Sequence, residues 1–399
     1  MRSVLIAILR LLIVTWLFYP VKMFKLLDDY ILKMLKNLKK ITREQLVAFV
    51  WTIWPFAVAC VIFLGVQFAA SYPNLVEDYY SKGIYPIIAS VYSWVSSLIP
   101  ISLWDLFWAA FVLLILYGIY FVLFTSAKWS WLLLRIAQLS ALLYAFFYLI
   151  WGFNYFRPDL ETRLGWEKPK SDEQIFRAVL DSLIVQTNKS FCPIAPSDYT
   201  DVDKLIEDSY AKNKDVLGIN YPNGTRRTKT MLFSSLFAMS GVSGYFGPFF
   251  NEVHLNNYLL PIEYPYVLAH EKAHQFGITN EAEANLASFI VCSTSSDQRL
   301  QYSGYLNLLV YFLSDASAFK DVKEYVKKIK KPVILDLRFQ RAHWQGLQNK
   351  TLDRVQTAAN NAYLKTNHIE AGVMNYNQVV GLVLNWVNQQ SLHVIPKQK

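Results

Sequence analysis

Residues Leu46 to Ala70 carry no charged side chain. A run of about 20 apolar residues is what a helix needs to cross the hydrocarbon layer. In lipid its backbone polar groups must pair within the segment, which leaves a helix as the only fold for a lone stretch. Two more stretches meet the same test, Leu106 to Phe124 and Trp129 to Tyr148. Pro55 in the first is a tolerated kink, and Arg135 interrupts the third. Trp and Tyr flank these runs as an interfacial belt does. Composition agrees: 54% of the residues are hydrophobic and 17% charged, and mean hydropathy is +0.22. That balance is too apolar for a purely soluble chain of 399 residues. Residues 46–150 therefore read as a membrane region.

The first 20 residues are apolar apart from Arg2 and Arg10. Tyr19-Pro20 is the wrong chemistry for signal-peptide cleavage, so a fourth span and an in-plane anchor both stay open. Lys22, Lys25, Lys33, Lys36, Lys39, Lys40 and Arg43 then alternate with apolar residues. Residues 1–45 thus end in a basic amphipathic segment suited to anionic lipid rather than to nucleic acid. The segment accounts for much of the net charge of +9. The positive-inside rule puts it in the cytoplasm. Three crossings then place residues 155–399 outside the cytoplasm, on a multi-pass protein of the cell membrane.

That outer part carries His270-Glu271-Lys272-Ala273-His274, an HExxH motif, after the apolar run Tyr266 to Ala269. On a helix, residues four apart share a face, so His270 and His274 can offer two imidazoles to one ion. Glu271 stays beside the metal without binding it and can serve as general base toward a zinc-activated water. Gly277 is a helix stop, and Thr279 or Asn280 caps a second helix beginning with acidic residues. The third ligand is expected there. Glu281 and Asn285 share a face, a pairing similar to the Glu-x-x-Ala-Asp segment of gluzincin peptidases, with Asn285 in place of Asp. We take Glu281 as ligand, Glu283 as the alternate, and Asn285 as the support behind a ligand histidine. The metzincin pattern fails because Asn280 stands where its third histidine belongs. Lys272 and Gln275 are polar, which predicts a water-facing side of the motif helix.

Around the motif, the apolar period predicts helices over Ser171–Gln186, Asp201–Tyr210, Leu306–Leu313 and Gln378–Val387. Gly241–Phe250, rich in Gly, Pro and aromatics, reads as a loop. Glu252–Asn256 alternates and reads as a short edge strand before the motif helix, the kind that receives a peptide as an added strand. His254 on it either lines the cleft or, the blander reading, faces solvent. Phe319–Lys331 is basic and reads as a solvated face. Tyr302, Tyr305, Tyr376, His343 and His368 are candidate donors to a tetrahedral intermediate, and none is distinguished by spacing. Cys192 and Cys292 either pair or leave Cys292 as a buried thiol.

The apolar segments, the run Trp151 to Pro158, the loop Ser243 to Phe249, HEKAHQFG, EAEAN and Tyr302-Ser303-Gly304-Tyr305 together resemble a bacterial family. Its members are polytopic membrane proteins of metallopeptidase type, carried as a domain of unknown function. The likeness runs from about residue 46 onward; the basic N-terminal extension departs from it. It implies zinc at His270, His274 and a Glu of EAEAN, with Glu271 as base.

The expected architecture is an α-helical membrane region of three or four transmembrane helices. A mainly α, zincin-like α+β metallopeptidase domain follows, with a short edge strand before the HExxH helix. The expected function is a membrane-anchored, zinc-dependent peptidase acting on protein or peptide substrates in contact with membrane lipid. The alternative is a non-catalytic scaffold or binding protein with a structural metal site or an inactive peptidase fold. Substrate, cleavage preference and oligomeric state leave no mark in the sequence.

Overall fold

The computed structural model describes residues 42–167, 173–195, 199, 201–222, 224, 226–367, 369 and 378–394. The N-terminal apolar run and nearly all of the basic segment lie outside the described residues, as do His368 and Tyr376. Three helices are long and apolar enough to cross a membrane: α1 (Arg43–Ser71), α3 (Leu103–Phe124) and α4 (Trp129–Ile150). They extend each predicted span by two or three residues at most. α1 carries the boundary between two compact units: residues up to Val58 belong to the first, and Ala59 to Lys399 form the second. Between α1 and α3 lie a single turn at Pro73–Leu75, a π-helical stretch Val76–Ile84 and the helix α2 (Tyr85–Ser97).

After α4 a 3₁₀ turn, Gly152–Phe156, leads to the short α5 (Leu160–Leu164). The remainder is helical around one small sheet. Its helices are α6 (Glu173–Ser190), α7 (Val202–Asn213), α8 (Ser234–Met239), α9 (Tyr264–Gln275), α10 (Glu281–Ser293) and α11 (Gln298–Ala316). α12 (Val322–Lys327), α13 (Lys331–Leu347), α14 (Lys350–Thr366) and α15 (Val379–Val394) follow. Alanines at 269, 273, 284 and 287 let α9 and α10 approach closely within a core completed by Leu180, Ile206, Leu306 and Phe312. The basic stretch around α12 is largely exposed, as its charge predicts, though Tyr325 and Ile329 are buried.

The sheet differs from the expectation. Its order is β1 (Lys229–Thr230), β3 (Glu252–Leu255), β2 (Gly244–Gly247), with β1 parallel and β2 antiparallel to β3. The strand expected at the edge, β3, is therefore central, and all four of its residues are buried. Part of the expected loop, Gly244–Gly247, is the edge strand instead. The alternation of β3 misleads because its polar side chains meet partners rather than water. Lys229 pairs with Glu252, and His254 Nε2 lies 2.9 Å from Ser102 Oγ and 3.1 Å from Glu252 Oε2. Neither solvent nor the cleft receives His254. Cys192 and Cys292 form no disulfide with each other, and Cys292 is buried in α10.

Glu252 also accepts hydrogen bonds from the first amides of α3, Leu103 N at 3.4 Å and Trp104 N at 3.1 Å. A carboxylate there satisfies orphan donors and suits the positive end of the helix. Ser102 caps the same helix by accepting from Asp105 N at 2.9 Å. Glu252→Ala should leave the buried Lys229 ammonium without its carboxylate and cost about 3–5 kcal/mol. Thermal unfolding of the detergent-purified full chain should then fall well below wild type. Lys229→Met added to Glu252→Gln should recover part of the loss.

Candidate metal centre

Pro265 in the first turn starts α9, where its missing N–H costs nothing. Gly277, at φ +85°, ends the reversal that follows. A side chain there would meet Tyr85 Cε1 at 3.0 Å and Asn154 Oδ1 at 3.1 Å, so only glycine fits the backbone and the space. Asn280 then caps α10, accepting from Ala282 N at 2.9 Å and Glu283 N at 3.1 Å. This short reversal brings Glu281 over the two histidines. Glu281 Oε2 lies 3.0 Å from His270 Nε2 and 3.3 Å from His274 Nε2, and the two Nε2 atoms are 3.2 Å apart. Ligand atoms bound to zinc at about 2.0–2.1 Å in a tetrahedron stand roughly 3.3 Å from one another. The group His270, His274 and Glu281 could therefore hold a metal ion.

The far sides of both rings favour that use. His274 Nδ1 is 2.7 Å from the Ile278 carbonyl, which can only accept, so Nδ1 carries a proton and donates it. His270 Nδ1 is 3.0 Å from Asn285 Oδ1, whose side chain also receives Tyr266 OH at 3.3 Å. Both imidazoles thus turn an Nε2 lone pair toward the same point. Two lone pairs 3.2 Å apart repel unless a cation or an added proton lies between them. Asn285 thus lies behind the His270 ring, on the side away from Glu281.

In the protein alone the charge of Glu281 draws that proton in. Burial pushes the His274 imidazole down. The Glu281 carboxylate, with help from Glu271 and the Ile278 carbonyl, outweighs it and holds the pKa at about 9. Burial raises Glu281, but the two histidines hold it well below the ordinary carboxylate range. Glu271 goes the other way: burial raises it, and the histidines only partly offset this. No residue hydrogen-bonds the Glu271 carboxylate among the described residues.

The other candidates fall elsewhere. Glu283 faces away, pairing with Arg163 and accepting from Leu160 N at 2.9 Å. It is not beside the histidines. Lys272 and Gln275 are buried rather than water-facing. The Lys272 ammonium lies 2.6 Å from Asp203 and 2.8 Å from Glu207, and Gln275 Nε2 donates to Asn251 O at 2.8 Å. A polar side chain on this helix marks an internal ion pair, not a wet face. Tyr302 donates to Asp336, Tyr305 packs on Phe289, and His343 bonds the Tyr258 carbonyl, all away from the centre.

Two cavities, of about 510 and 200 Å³, meet at His270, Glu271 and Gly244. Both run along the edge strand β2 and the loop before it. A Cβ at Gly244 would stand 2.8 Å from the Glu271 carboxylate, so the absent side chain is what lets strand and base lie side by side. Helix α14 forms another wall through Gln356 and Asn360, with Asp353 in the larger cavity and Tyr363 in the smaller. Tyr311 and Tyr363 are hydroxyls that sequence reasoning missed. They lie on helices far along the chain, and no motif spacing ties them to HExxH.

The sign of the His274 shift gives a pH prediction for chelator-treated protein. An imidazole raised from 6.5 to about 9 contributes stability that is fully present below 6.5 and lost as pH rises through about 9. The depressed Glu281 contributes above 4.5 and loses it as pH falls below that value. The melting temperature should drop between about pH 6 and about pH 9.5, and drop less in Glu281→Gln, which lacks the charge that retains the proton.

No curated protein and no solved structure matches this chain. A family model described as a protein of unknown function, DUF3810, matches residues 80–384, from the π-helical stretch before α2 to the last amphipathic helix. With most of its length so covered, and with α9, α10 and both cavities inside the match, the chain belongs to the DUF3810 family.

Proposed function

We propose that the protein is a membrane-anchored, zinc-dependent peptidase. One observation carries this reading. A convergent His270–His274–Glu281 set stands beside an unpartnered carboxylate, Glu271, that borders both cavities. A structural metal site has no use for that fourth group. A buried carboxylate without a hydrogen-bond partner is costly to keep, and a general base needs just such a raised pKa.

In this reading His270, His274 and Glu281 hold the ion, while Asn285 and the Ile278 carbonyl fix the ring orientations. Zinc in such a site supplies a Lewis acid and lowers the pKa of water toward neutrality. Glu271 takes a proton from the attacking water and returns it to the leaving amine. The exposed edge of β2 offers main-chain groups to an extended peptide, and Gly244 keeps that edge against the base. Orientation follows the positive-inside argument, with the site outside the cytoplasm.

Metal content of the detergent-purified full chain tests the site. About one zinc per wild-type chain is expected, with none in His274→Ala. Absence of stoichiometric metal from well-folded wild type would sink the peptidase reading. Chemistry is tested separately with quenched-fluorescent peptide pools. Glu271→Gln should keep its zinc and lose about 10²–10⁴-fold in hydrolysis. Gly244→Val should also keep zinc and lose roughly 10²-fold, because its side chain displaces Glu271.

A further inference from the structure

The structure assigns a membrane surface to a helix that does not cross the membrane. α2 is amphipathic the wrong way round for a water-exposed helix. Its buried face is Tyr85, Pro86, Ala89, Ser93, Ser96 and Ser97. Its exposed stripe is Ile84, Ile87, Val91, Trp94, Val95 and Leu98. These positions recur at three, four and one residues, the trace of one helical face. Ile87 is 66% exposed, Trp94 55% and Leu98 64%. From residue 83 to residue 104 there is no charged side chain at all. A free helix face of this kind in water is unusual in a soluble domain.

We propose that this stripe lies in the plane of the bilayer, embedded at the lipid interface. The argument for lipid rather than a protein partner is continuity. α2 sits between two spans, α1 ending at Ser71 and α3 beginning at Leu103. Its 13 residues reach about 20 Å, short of the roughly 30 Å that a crossing needs. Leu98 is only four residues before the Ser102 cap of α3, so α2 enters the span directly. Tyr72 and Tyr79 are exposed beside it, and with Trp94 they supply the ringed side chains typical of a membrane–water boundary. Successive crossings bring the end of α1, the start of α3 and the end of α4 to one membrane face. Leu232, Phe233 and Leu236 add further exposed apolar surface there, next to Asp105 of α3, which accepts from Leu232 N at 2.8 Å.

The consequence is positional. The buried side of α2 is tied to the helix that carries His270 and His274: Tyr85 OH donates to the Gln275 carbonyl of α9 at 2.7 Å. An embedded α2 therefore fixes the cleft at the bilayer surface. One short helix thus has an exposed apolar side and a side that grips the end of α9.

The test uses the full chain in nanodiscs, one chain per disc, made with a lipid whose acyl chain carries a photoactivatable diazirine. Adducts are mapped by mass spectrometry, with a water-soluble carbene reagent in parallel. Acyl-chain adducts on Ile87, Val91, Trp94 or Leu98, at yields like those on α3, are the expected result. Lys212 and Lys214 of the same discs should take only the aqueous label. Adducts confined to the three spans overturn the proposal, whether α2 then takes the aqueous reagent or neither label. Aqueous labelling means a water-exposed face, and no labelling means a protein covers it. Val91→Glu with Trp94→Glu should abolish α2 adducts and leave those on α3 unchanged. None of these readouts depends on metal or hydrolysis, so the labelling stands or falls apart from the peptidase reading.

Discussion

The C-terminal end of α9, the helix of His270 and His274, is the constraint on which the rest of the structure depends. The last carbonyls of any helix lack partners within it. Here they are taken up by residues from the membrane-proximal part of the chain. Trp151 Nε1 donates to His274 O at 3.0 Å, Tyr85 OH to Gln275 O at 2.7 Å, and Arg157 Nη1 to Gly277 O at 2.9 Å. Arg157 is held in turn by Glu77 at 2.6 Å. The reversal that sets Glu281 over His270 and His274 is thus clamped by side chains from the stretches that follow α1 and α4. The site and these segments belong to one compact unit, Ala59 to Lys399, which is why tests of the site call for the whole chain.

The opposite side of α9 is secured by charge. Lys272, which is buried, and the half-buried Asp203, Glu207, Arg226 and Tyr221 form a charged cluster. Burial raises the Glu207 carboxyl, but Lys272 and Arg226 outweigh it and bring the pKa down to about 2. Such pairs add less net stability than their geometry implies, since each charge must be desolvated. What they supply is register: an ion pair tolerates little rotation of α9, and rotation would move both histidines. The Glu252 cluster does the same for the sheet, tying β3 to the first turn of α3. Through β3 it also fixes the neighbouring edge strand along the cleft.

Much of this was legible in the sequence because it rests on local periodicity. The three helices long and apolar enough to cross a membrane follow from apolar runs, the third broken only by Arg135, and the helix pair from HExxH, Gly277 and a cap at Thr279 or Asn280. Glu281 could be preferred to Glu283 because it shares a helix face with Asn285, the pairing that resembles the gluzincin segment. Where the reading failed, an inference about environment stood in for one about spacing. Polarity alone puts Lys272 and Gln275 in water and His254 in the cleft or in solvent, whereas each is buried against partners from another segment. β2 was hidden in a glycine-rich stretch whose strand pairing comes only from Glu252–Leu255.

The sequence by itself determined the three long apolar helices, the shared face of His270 and His274 and the turn chemistry after it, because these depend on neighbours within a few residues. Only the tertiary structure decided which strand is the edge, which hydroxyls and amides line the cleft, and which face of α2 is buried. Those outcomes depend on partners brought together across one to two hundred residues, such as Tyr85 with Gln275 and Trp151 with His274. A contact of that kind leaves no period in the chain.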